Sequence, residues 1–256
     1  MKKFCFTVDD NIRFLKDINE KKPESIFHHP YLAMFKRLHE AFDLKVQLNL
    51  FYYMEGFNLS QMTTFYRQEF ENNSDWLKFS FHSDVENIKP YEFSGYDEVY
   101  QDCKKVNDNI VRFASESALA KTTTVHYCLN TADGLRALKD NNVSGLLGLF
   151  GDADKPRTSY GIDEIYANKI RNGEIVKLDG INFASIDIVL NCFSKEDILT
   201  RLEGLNGRDC IKVMIHEQYF YHDYKWYQPE FEEKLKSTFS FLAKYGYKSE
   251  FLENLI

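Results

Sequence analysis

The sequence predicts an α/β protein whose parallel strands close into a seven-stranded β/α barrel. Apolar, strand-like runs alternate with amphipathic helical patterns along the 256 residues, and this alternation is typical of a parallel sheet covered by helices. Seven such runs are present, one fewer than in the common eight-stranded barrel. A chain of this length suffices for one substantial hydrophobic core. We therefore predict a single domain that occupies residues 1–256.

The predicted strands and helices follow one another in regular order. The strand-like runs lie near residues 3–8, 44–51, 77–82, 122–127, 145–150, 185–192 and 210–215. Apolar residues with i, i+3, i+4 spacing predict helices at residues 30–43, 60–71, 97–119, 131–140, 195–204 and 229–245. Gly246 follows the last helix as a terminator. Residues 151–184 break the rhythm with Pro156, Gly161, Gly173 and Gly180, which predicts an irregular insertion with a short hairpin at the rim of the barrel.

Composition and charge limit the classes of function. The net charge is −7, and no cluster of Lys and Arg provides the basic footprint of a nucleic-acid-binding protein. Five Cys without a C-x-x-C pair are typical of reduced thiols in a cytosolic protein. The N-terminus enters a strand-like run without a leader pattern, and no apolar run reaches the roughly 18 residues of a membrane span. We therefore expect a cytoplasmic protein without a transmembrane segment.

Aromatic residues are abundant, at 16% of the chain. They have two interpretations, the filling of a bulky core and the lining of a cleft in which sugars stack. Most of the Phe lie in periodic apolar segments, which favours the core.

Residue types found in metal sites stand at the ends of four predicted strands. They are Asp9 and Asp10 after the first strand, His82 with Glu86 four residues further on, His126 after Thr122–Val125, and His216 after Ile211–Ile215. In β/α barrels the carboxyl ends of the strands form the active site. Three His together with several carboxylates at such points indicate a hydrolytic metal centre.

The two pairs of candidate residues have distinct chemical uses. Of Asp9 and Asp10, one carboxylate can bind a metal while the other takes a proton from the attacking water; the alternative is an N-cap for a helix that starts with the following residues. If a helix or turn begins at His82, the i, i+4 spacing places His82 and Glu86 on one face, where imidazole and carboxylate can share a cation. The alternative for this pair is a solvated ion pair.

The other two candidate residues, His126 and His216, have several possible roles. His126 is a third cation ligand, an orienting partner for a carboxylate, or a core histidine whose hydrogen bonds go to the backbone. His216 is a candidate general acid, because imidazole titrates near neutral pH.

The order of these motifs resembles the polysaccharide deacetylase family, also described as NodB homology or carbohydrate esterase 4. Thr7-Val8-Asp9-Asp10-Asn11 resembles the family's T-F-D-D-G motif, and His82-Ser83-Asp84-Val85-Glu86 resembles H-[ST]-x-x-H with Glu86 in place of the second His. Met214-Ile215-His216 resembles L-x-H. His126 falls near the family's R-x-P-Y motif, without its Arg, and the fourth motif is echoed by Asp187 and Asn191.

The resemblance implies a distorted seven-stranded barrel and a role for each matching residue. Asp9 would be the catalytic base and His216 the general acid, while Asp10, His82 and Glu86 would hold a divalent metal ion. Zinc is the expected ion, with other first-row transition metals as alternatives. His126 would hold Asp9 in place or bind the substrate.

The function implied by the resemblance is metal-dependent carbohydrate hydrolysis, with an N-acetylated sugar or glycan precursor as substrate. Two alternatives remain at this stage. One is a glycoside hydrolase on a related barrel, which uses two carboxyl groups and no cation. The other is a non-catalytic sugar-binding barrel, because fold-level analogy is a weak basis for function.

Overall fold

The computed structural model describes residues 2–86, 91–151 and 158–256. Its strands are β1 (Lys3–Asn11), β2 (Val46–Met54), β3 (Phe57–Asn58), β4 (Leu77–Val85), β5 (Thr122–Thr123), β6 (Gly145–Gly148), β7 (Val176–Leu178), β8 (Ile181–Ser185), β9 (Ile188–Val189), β10 (Cys210–His216) and β11 (Lys248–Ser249). Its α-helices are α1 (Arg13–Lys21), α2 (Pro30–Phe42), α3 (Arg67–Asn72), α4 (Tyr96–Phe113), α5 (Ala132–Asp140), α6 (Glu164–Arg171), α7 (Lys195–Leu205) and α8 (Phe231–Lys244).

The strands form two largely parallel sheets. The larger sheet has the order β3-β2-β1-β10-β9, with β4 also paired to β2 and β11 to β1, and the smaller sheet has the order β5-β6-β8-β7. Only the short strands β3 and β7 pair in antiparallel fashion among these. An isolated parallel bridge joins Phe79 of β4 to Leu119, which precedes β5 in the chain. The α/β class is confirmed, whereas the described residues form two sheets instead of the single closed barrel of seven strands that was predicted.

The division into two sheets has a local cause. The strand predicted at residues 185–192 is split, because the Ile186 N–H donates to Gly148 of the smaller sheet while the Asp187 N–H donates to Lys212 of the larger one. On the opposite side, β5 has only two residues and contributes no regular ladder to β4. The chain therefore passes from one sheet to the other at residues 186–187.

The first strand shows how the sequence positions the site. Phe4 and Phe6 point toward the helices, where both rings pack against Phe239 of α8. Because side chains alternate along a strand, Thr7 and Asp9 lie on the other face. Burial of each Phe stabilises the fold by about 1.5–3 kcal/mol, so the helical layer fixes the strand that carries the polar residues.

Most predicted helices are confirmed, with one exception. Residues 60–71 form only the short α3, because Asn58 and Gln61 cap a separate 3₁₀ turn at Leu59–Gln61. Helices α1 and α6 were not predicted. Gly246, at φ +79°, follows α8 as expected.

The predicted hairpin in the insertion is β7–β8. Residues 152–157 of that insertion lie outside the described residues. The single domain stays a prediction.

Within the described ranges, no helix has both the length and the apolar character needed to cross a membrane. The cytoplasmic location stays a prediction.

Candidate metal centre and catalytic residues

A bulge at the end of β1 brings Asp9 and Asp10 to the same side of the sheet. Val8 is aligned with Leu48 of β2 but Asn11 with Leu50, so β1 contains one residue more than its partner. Asp10 absorbs this extra residue at φ +62°, a left-handed conformation that Asp adopts more readily than most residues. The bulge interrupts the alternation of side chains, and both carboxylates lie in the site.

The N-terminus of α1 is capped by a residue that follows β10. The N-cap residue Ile12 has no side chain that can cap the helix. Glu217, which follows β10, accepts hydrogen bonds from the backbone N–H groups of Ile12, Arg13 and Phe14 at 2.7–3.0 Å and from the Tyr221 hydroxyl at 2.8 Å. The alternative in which the Asp pair caps this helix is therefore wrong.

Glu217 is fully buried, and this burial raises the pKa of its carboxyl to about 7, although the four donors oppose the shift. No role was predicted for this residue from the sequence. The available signal was a carboxylate directly after the strand-ending His216.

Three side chains converge on one point at the carboxyl ends of the strands. His82 Nε2 lies 3.0 Å from Asp10 Oδ1, His126 Nδ1 lies 3.3 Å from the same oxygen, and the two ring nitrogens are 3.1 Å apart. Among the described residues, these three form the group whose ligand atoms could hold a metal ion. Asp10 and His82 are buried, and His126 is largely so.

The spacing and type of these atoms fit a first-row metal ion. Tetrahedral ligands at about 2.0–2.1 Å from zinc are separated from one another by roughly 3.3–3.4 Å. The three observed separations lie within a few tenths of an ångström of that value. Two imidazole nitrogens and one carboxylate oxygen also form a donor set that suits zinc and its neighbours.

The surroundings orient the ligand atoms. His82 Nδ1 lies 2.5 Å from the Thr124 carbonyl oxygen, so the ring donates from Nδ1 and presents the lone pair of Nε2 to the site. Gln218 Nε2 donates to the outer oxygen of Asp10 at 2.6 Å. Phe51 packs edge-to-face against the rings of both His82 and His126. Each candidate ligand therefore contacts at least one neighbouring residue that is not part of the group.

The protonation of the group follows from burial and from mutual contact. Burial alone would raise the pKa of Asp10, but its contacts with the rings of His126 and His82 lower that pKa well below its usual value. Burial lowers the pKa of His126 despite its contact with Asp10. Asp10 is thus anionic at neutral pH and His126 favours the neutral form, which are the states that bind a cation. Burial would lower the pKa of His82, but the charges of Asp9 and Asp10 raise it, so a cation that binds there displaces a proton. His126 Nε2 is buried and has no hydrogen-bond partner within the described ranges.

Glu86 lies outside this group. Its predicted role depended on a helix or turn that begins at His82, but β4 continues to Val85 and Glu86 stands in the turn beyond it. Four residues of extended chain span about 13 Å, against about 6 Å in a helix. The third ligand atom of the group comes instead from His126, which lies in the 3₁₀ turn His126–Cys128 after β5. A role as third cation ligand was one of the alternatives left open for His126.

Asp9 is held by an amide whose orientation is fixed. Asn49 Nδ2 donates to Asp9 Oδ1 at 2.6 Å, while Asn49 Oδ1 accepts from Gln47 Nε2 at 2.8 Å and from Ser80 Oγ at 2.5 Å. Two donors on the amide oxygen oblige the amide nitrogen to face Asp9. Burial raises the pKa of Asp9, and the nearby His82 partly opposes this shift. No role was predicted for Asn49 from the sequence, because it lies inside an apolar strand pattern.

His216 stands next to Asp9 and contacts a second amide. Its Nδ1 lies 2.9 Å from Asn191 Oδ1, which also accepts the backbone N–H of His216 at 3.2 Å. Asp187, the other echo of the fourth motif, forms ion pairs with Lys212 and Arg208 instead. His216 is half-buried and lies at the carboxyl end of β10.

Comparisons with known proteins identify the fold. No family model matches the sequence, and no curated protein matches it. The structure is similar to the Bc1960 peptidoglycan N-acetylglucosamine deacetylase, with a TM-score of 0.56, 11% identity and coverage of 99% of this chain and 87% of that one. It is also similar to a family 4 acetyl xylan esterase from Clostridium thermocellum in complex with a cobalt ion, with a TM-score of 0.51, 12% identity and coverage of 99% and 90%.

A third similar structure is the 4-alpha-glucanotransferase from Thermococcus litoralis, with a TM-score of 0.58, 11% identity and coverage of 99% of this chain and 40% of that one. At such identities the likeness shows the fold alone. The predicted resemblance to polysaccharide deacetylases is therefore confirmed for the fold, and the activity has to be argued from the site.

Proposed function

We propose that this protein is a metal-dependent hydrolase that removes the acetyl group from an N-acetylated sugar or glycan precursor. The observation that carries the proposal is the group formed by Asp10, His82 and His126, with ligand atoms 3.0–3.3 Å apart. A carboxylate, Asp9, and an imidazole, His216, lie beside one another next to this group. These are the parts that hydrolysis of an amide requires.

In the proposed mechanism Asp10, His82 and His126 hold a divalent ion, with zinc as the expected species. When bound, such an ion polarises the acyl carbonyl and lowers the pKa of water. Gln218 and the Thr124 carbonyl keep Asp10 and His82 aligned through the contacts described above.

Asp9 and His216, at the ends of β1 and β10, carry out the two proton transfers in this mechanism. Asp9 takes the proton of the attacking water, and Asn49 holds the carboxylate in place as it does so. His216 donates a proton to the leaving amine. Asn191 accepts a hydrogen bond from Nδ1 of His216, so the other ring nitrogen, Nε2, points away from Asn191. Because the Asn191 side chain is uncharged, it orients the ring without placing a negative charge beside it.

Two features of the site favour this function over glycoside hydrolysis. A glycosidase needs two carboxyl groups that flank the bond and no cation. Here Asp10 is engaged by two His, and Asp9 is held by an amide. The fold resembles a peptidoglycan N-acetylglucosamine deacetylase and an acetyl xylan esterase, which agrees with acyl transfer to water.

A substrate panel tests the proposal. Purified protein loaded with zinc or cobalt is incubated with oligomers of N-acetylglucosamine, with O-acetylated xylan oligomers and with unacetylated glycans, while acetate and new reducing ends are measured. We expect acetate from the N-acetylated oligomers without new reducing ends. Acetate from the xylan oligomers alone would indicate an esterase, and reducing ends without acetate would indicate a glycosidase.

A further inference from the structure

The hydrogen-bond ladder between β5 and β6 stops early. β5 pairs with β6 at two residues, with Thr123 opposite Leu146, whereas β6 continues to Gly148. In a parallel pair the ladder hydrogen bonds are evenly spaced along the strands. If this ladder continued in the same register, its next hydrogen bond would run from the Val125 N–H to the Leu147 carbonyl.

A tyrosine hydroxyl is inserted between these two backbone groups. The Val125 N–H donates to the Tyr160 hydroxyl at 3.1 Å, and that hydroxyl donates to the Leu147 carbonyl at 2.6 Å. Burial raises the pKa of Tyr160 well above its usual value, so the hydroxyl keeps its proton and can donate while it accepts. A direct bond would span about 2.9 Å between nitrogen and oxygen. The inserted oxygen atom therefore keeps Val125 further from β6 than a ladder would.

The position of Tyr160 is itself fixed by contacts with β6. Tyr160 is 3% exposed and lies in the 3₁₀ turn Ser159–Gly161, in the left-handed conformation at φ +60°. Ser159 Oγ donates to the Leu149 carbonyl at 2.6 Å. Gly148 leaves room for the turn, since a Cβ at that position would lie 2.6 Å from Ser159 Cβ and 3.0 Å from the Tyr160 ring. The hydroxyl is therefore held in place from the side of β6.

The two residues that flank Val125 contact the candidate metal centre. The Thr124 carbonyl oxygen lies 2.5 Å from His82 Nδ1, and His126 Nδ1 lies 3.3 Å from Asp10 Oδ1. Over the residues that the structure describes, β5 has no regular ladder with β4 that could set these distances. The bridge through Tyr160 is thus the backbone contact that places Val125, and with it the groups on either side.

We propose that Tyr160 is a positioning residue of the candidate metal centre, whose hydroxyl separates the end of β5 from β6 so that Thr124 and His126 reach the other ligands. The inference rests on the proposed function, because the group of Asp10, His82 and His126 is the site that Tyr160 serves. Loss of a residue that orients metal ligands typically lowers metal affinity by 10–100-fold. The predicted insertion at residues 151–184 thereby acquires a role in the site.

The removal of one oxygen atom tests the proposal. Tyr160→Phe keeps the ring and leaves the Val125 N–H and the Leu147 carbonyl without their bridge. Zinc affinity, measured by competition with a chromophoric chelator, should fall about tenfold or more. Tyr66→Phe is the matched control, because Tyr66 is 2% exposed and its hydroxyl donates to the Pro23 carbonyl at 2.5 Å. It should bind zinc as the parent protein does.

Two further measurements separate positioning from a purely structural role. The first is the amide hydrogen exchange of Val125 in the metal-free protein, which should become about tenfold faster in Tyr160→Phe because local opening costs less free energy. The second is the visible absorption spectrum of the cobalt-loaded protein, which reports the arrangement of the ligands and should change in Tyr160→Phe. A residue that only stabilises the fold would lower the midpoint of thermal unfolding and leave the cobalt spectrum as it is in the parent protein.

The outcomes distinguish this inference from the proposed function. If Tyr160→Phe binds zinc as tightly as the parent protein and gives the same cobalt spectrum, the inference is refuted, even if Val125 exchanges faster. If Tyr160→Phe binds zinc more weakly and its cobalt spectrum is altered, the inference stands; a parent protein that binds zinc but releases no acetate would then refute the deacetylase proposal alone. A parent protein that binds neither metal would refute both the metal centre and the role of Tyr160.

Discussion

Asp9 and His216 are register partners on adjacent parallel strands, β1 and β10. The side-chain amide of an Asn residue contacts each of them; one amide is a hydrogen-bond donor and the other is an acceptor. Asn49 donates to the Asp9 carboxylate at 2.6 Å, and Asn191 accepts from the His216 ring at 2.9 Å. The donor stabilises the Asp9 carboxylate, and the acceptor fixes the orientation of the His216 ring. In the proposed mechanism this arrangement would serve Asp9 as the proton acceptor and His216 as the proton donor.

We predict that His126, and not Glu86, is the third metal ligand. His126→Ala should lower the bound zinc from about one ion per chain to a small fraction, because only two ligands remain. Glu86→Gln is the matched control and should retain the metal. The measurement is the metal content after dialysis against a weak chelator. Loss of metal in Glu86→Gln with retention in His126→Ala would restore the assignment made from the sequence.

We predict that Asp9→Asn lowers kcat by roughly 10²–10⁴-fold, the usual contribution of a general base. Metal content should stay unchanged, since no ligand is removed. Acetate release and metal content are measured on the same sample, with Asp10→Asn for comparison. If both variants lose metal equally, Asp9 is a ligand and the division of labour between the two carboxylates is wrong.

A related prediction concerns Asn49. Asn49→Leu removes the donor to Asp9 and one acceptor of Gln47 and of Ser80, which keep their contacts with the Thr122 carbonyl and with Thr123 Oγ1. Leaving a buried polar group short of a partner costs about 1–3 kcal/mol. The free energy of unfolding should fall accordingly, and kcat per folded molecule should fall as well while KM changes little. Urea unfolding and steady-state kinetics measure the two effects. An unaltered kcat in the folded fraction would show that Asn49 has only a structural role.

We predict that His216→Ala lowers kcat by roughly 10²–10⁴-fold with metal content intact. Asn191→Leu should have a smaller effect of the same kind, since the imidazole remains but loses its orientation. The alternative is a histidine that only packs beside Tyr219. In that case turnover per metal-loaded, folded molecule would equal that of the unmodified protein.

Glu217 provides a prediction about stability and pH. Burial raises the pKa of its carboxyl from 4.5 to about 7, so the folded state binds the proton more tightly than the unfolded state. The resulting stabilisation is fully present below about pH 4.5 and is lost as the pH rises through about 7. The free energy of unfolding should therefore fall between pH 5 and 8, and Glu217→Gln should fall less steeply. Parallel pH profiles for the two proteins, measured by urea unfolding, would contradict the assignment.

The sequence predicted those features that depend on local patterns. Strand-like runs and i, i+3, i+4 spacing located the strands that carry Asp9, His82 and His216 and most of the helices. The split of the strand at residues 186–187 was not predictable, because it depends on which sheet accepts each N–H group. The pairing of His82 with Glu86 was conditional on a helix or turn that begins at His82, and this condition is not met, because β4 extends to Val85 through its pairing with β2.

The proposed ligand set could be predicted only in part. Asp10 and His82 were identified from their motifs, whereas His126 was one candidate among several until its distance to them was known. Asn49 and Glu217 act through partners that are 40 and 203–205 residues away in the chain. No local pattern marks such contacts.

The most direct test of the account is acetate release from the N-acetylglucosamine tetramer by one preparation in three states: as purified, after removal of metal with a chelator, and after addition of one equivalent of zinc. We predict that activity disappears with the metal and returns with zinc, and that His126→Ala shows no such return. Acetate release that persists unchanged in the metal-free protein would contradict the central claim that Asp10, His82 and His126 form a catalytic metal centre.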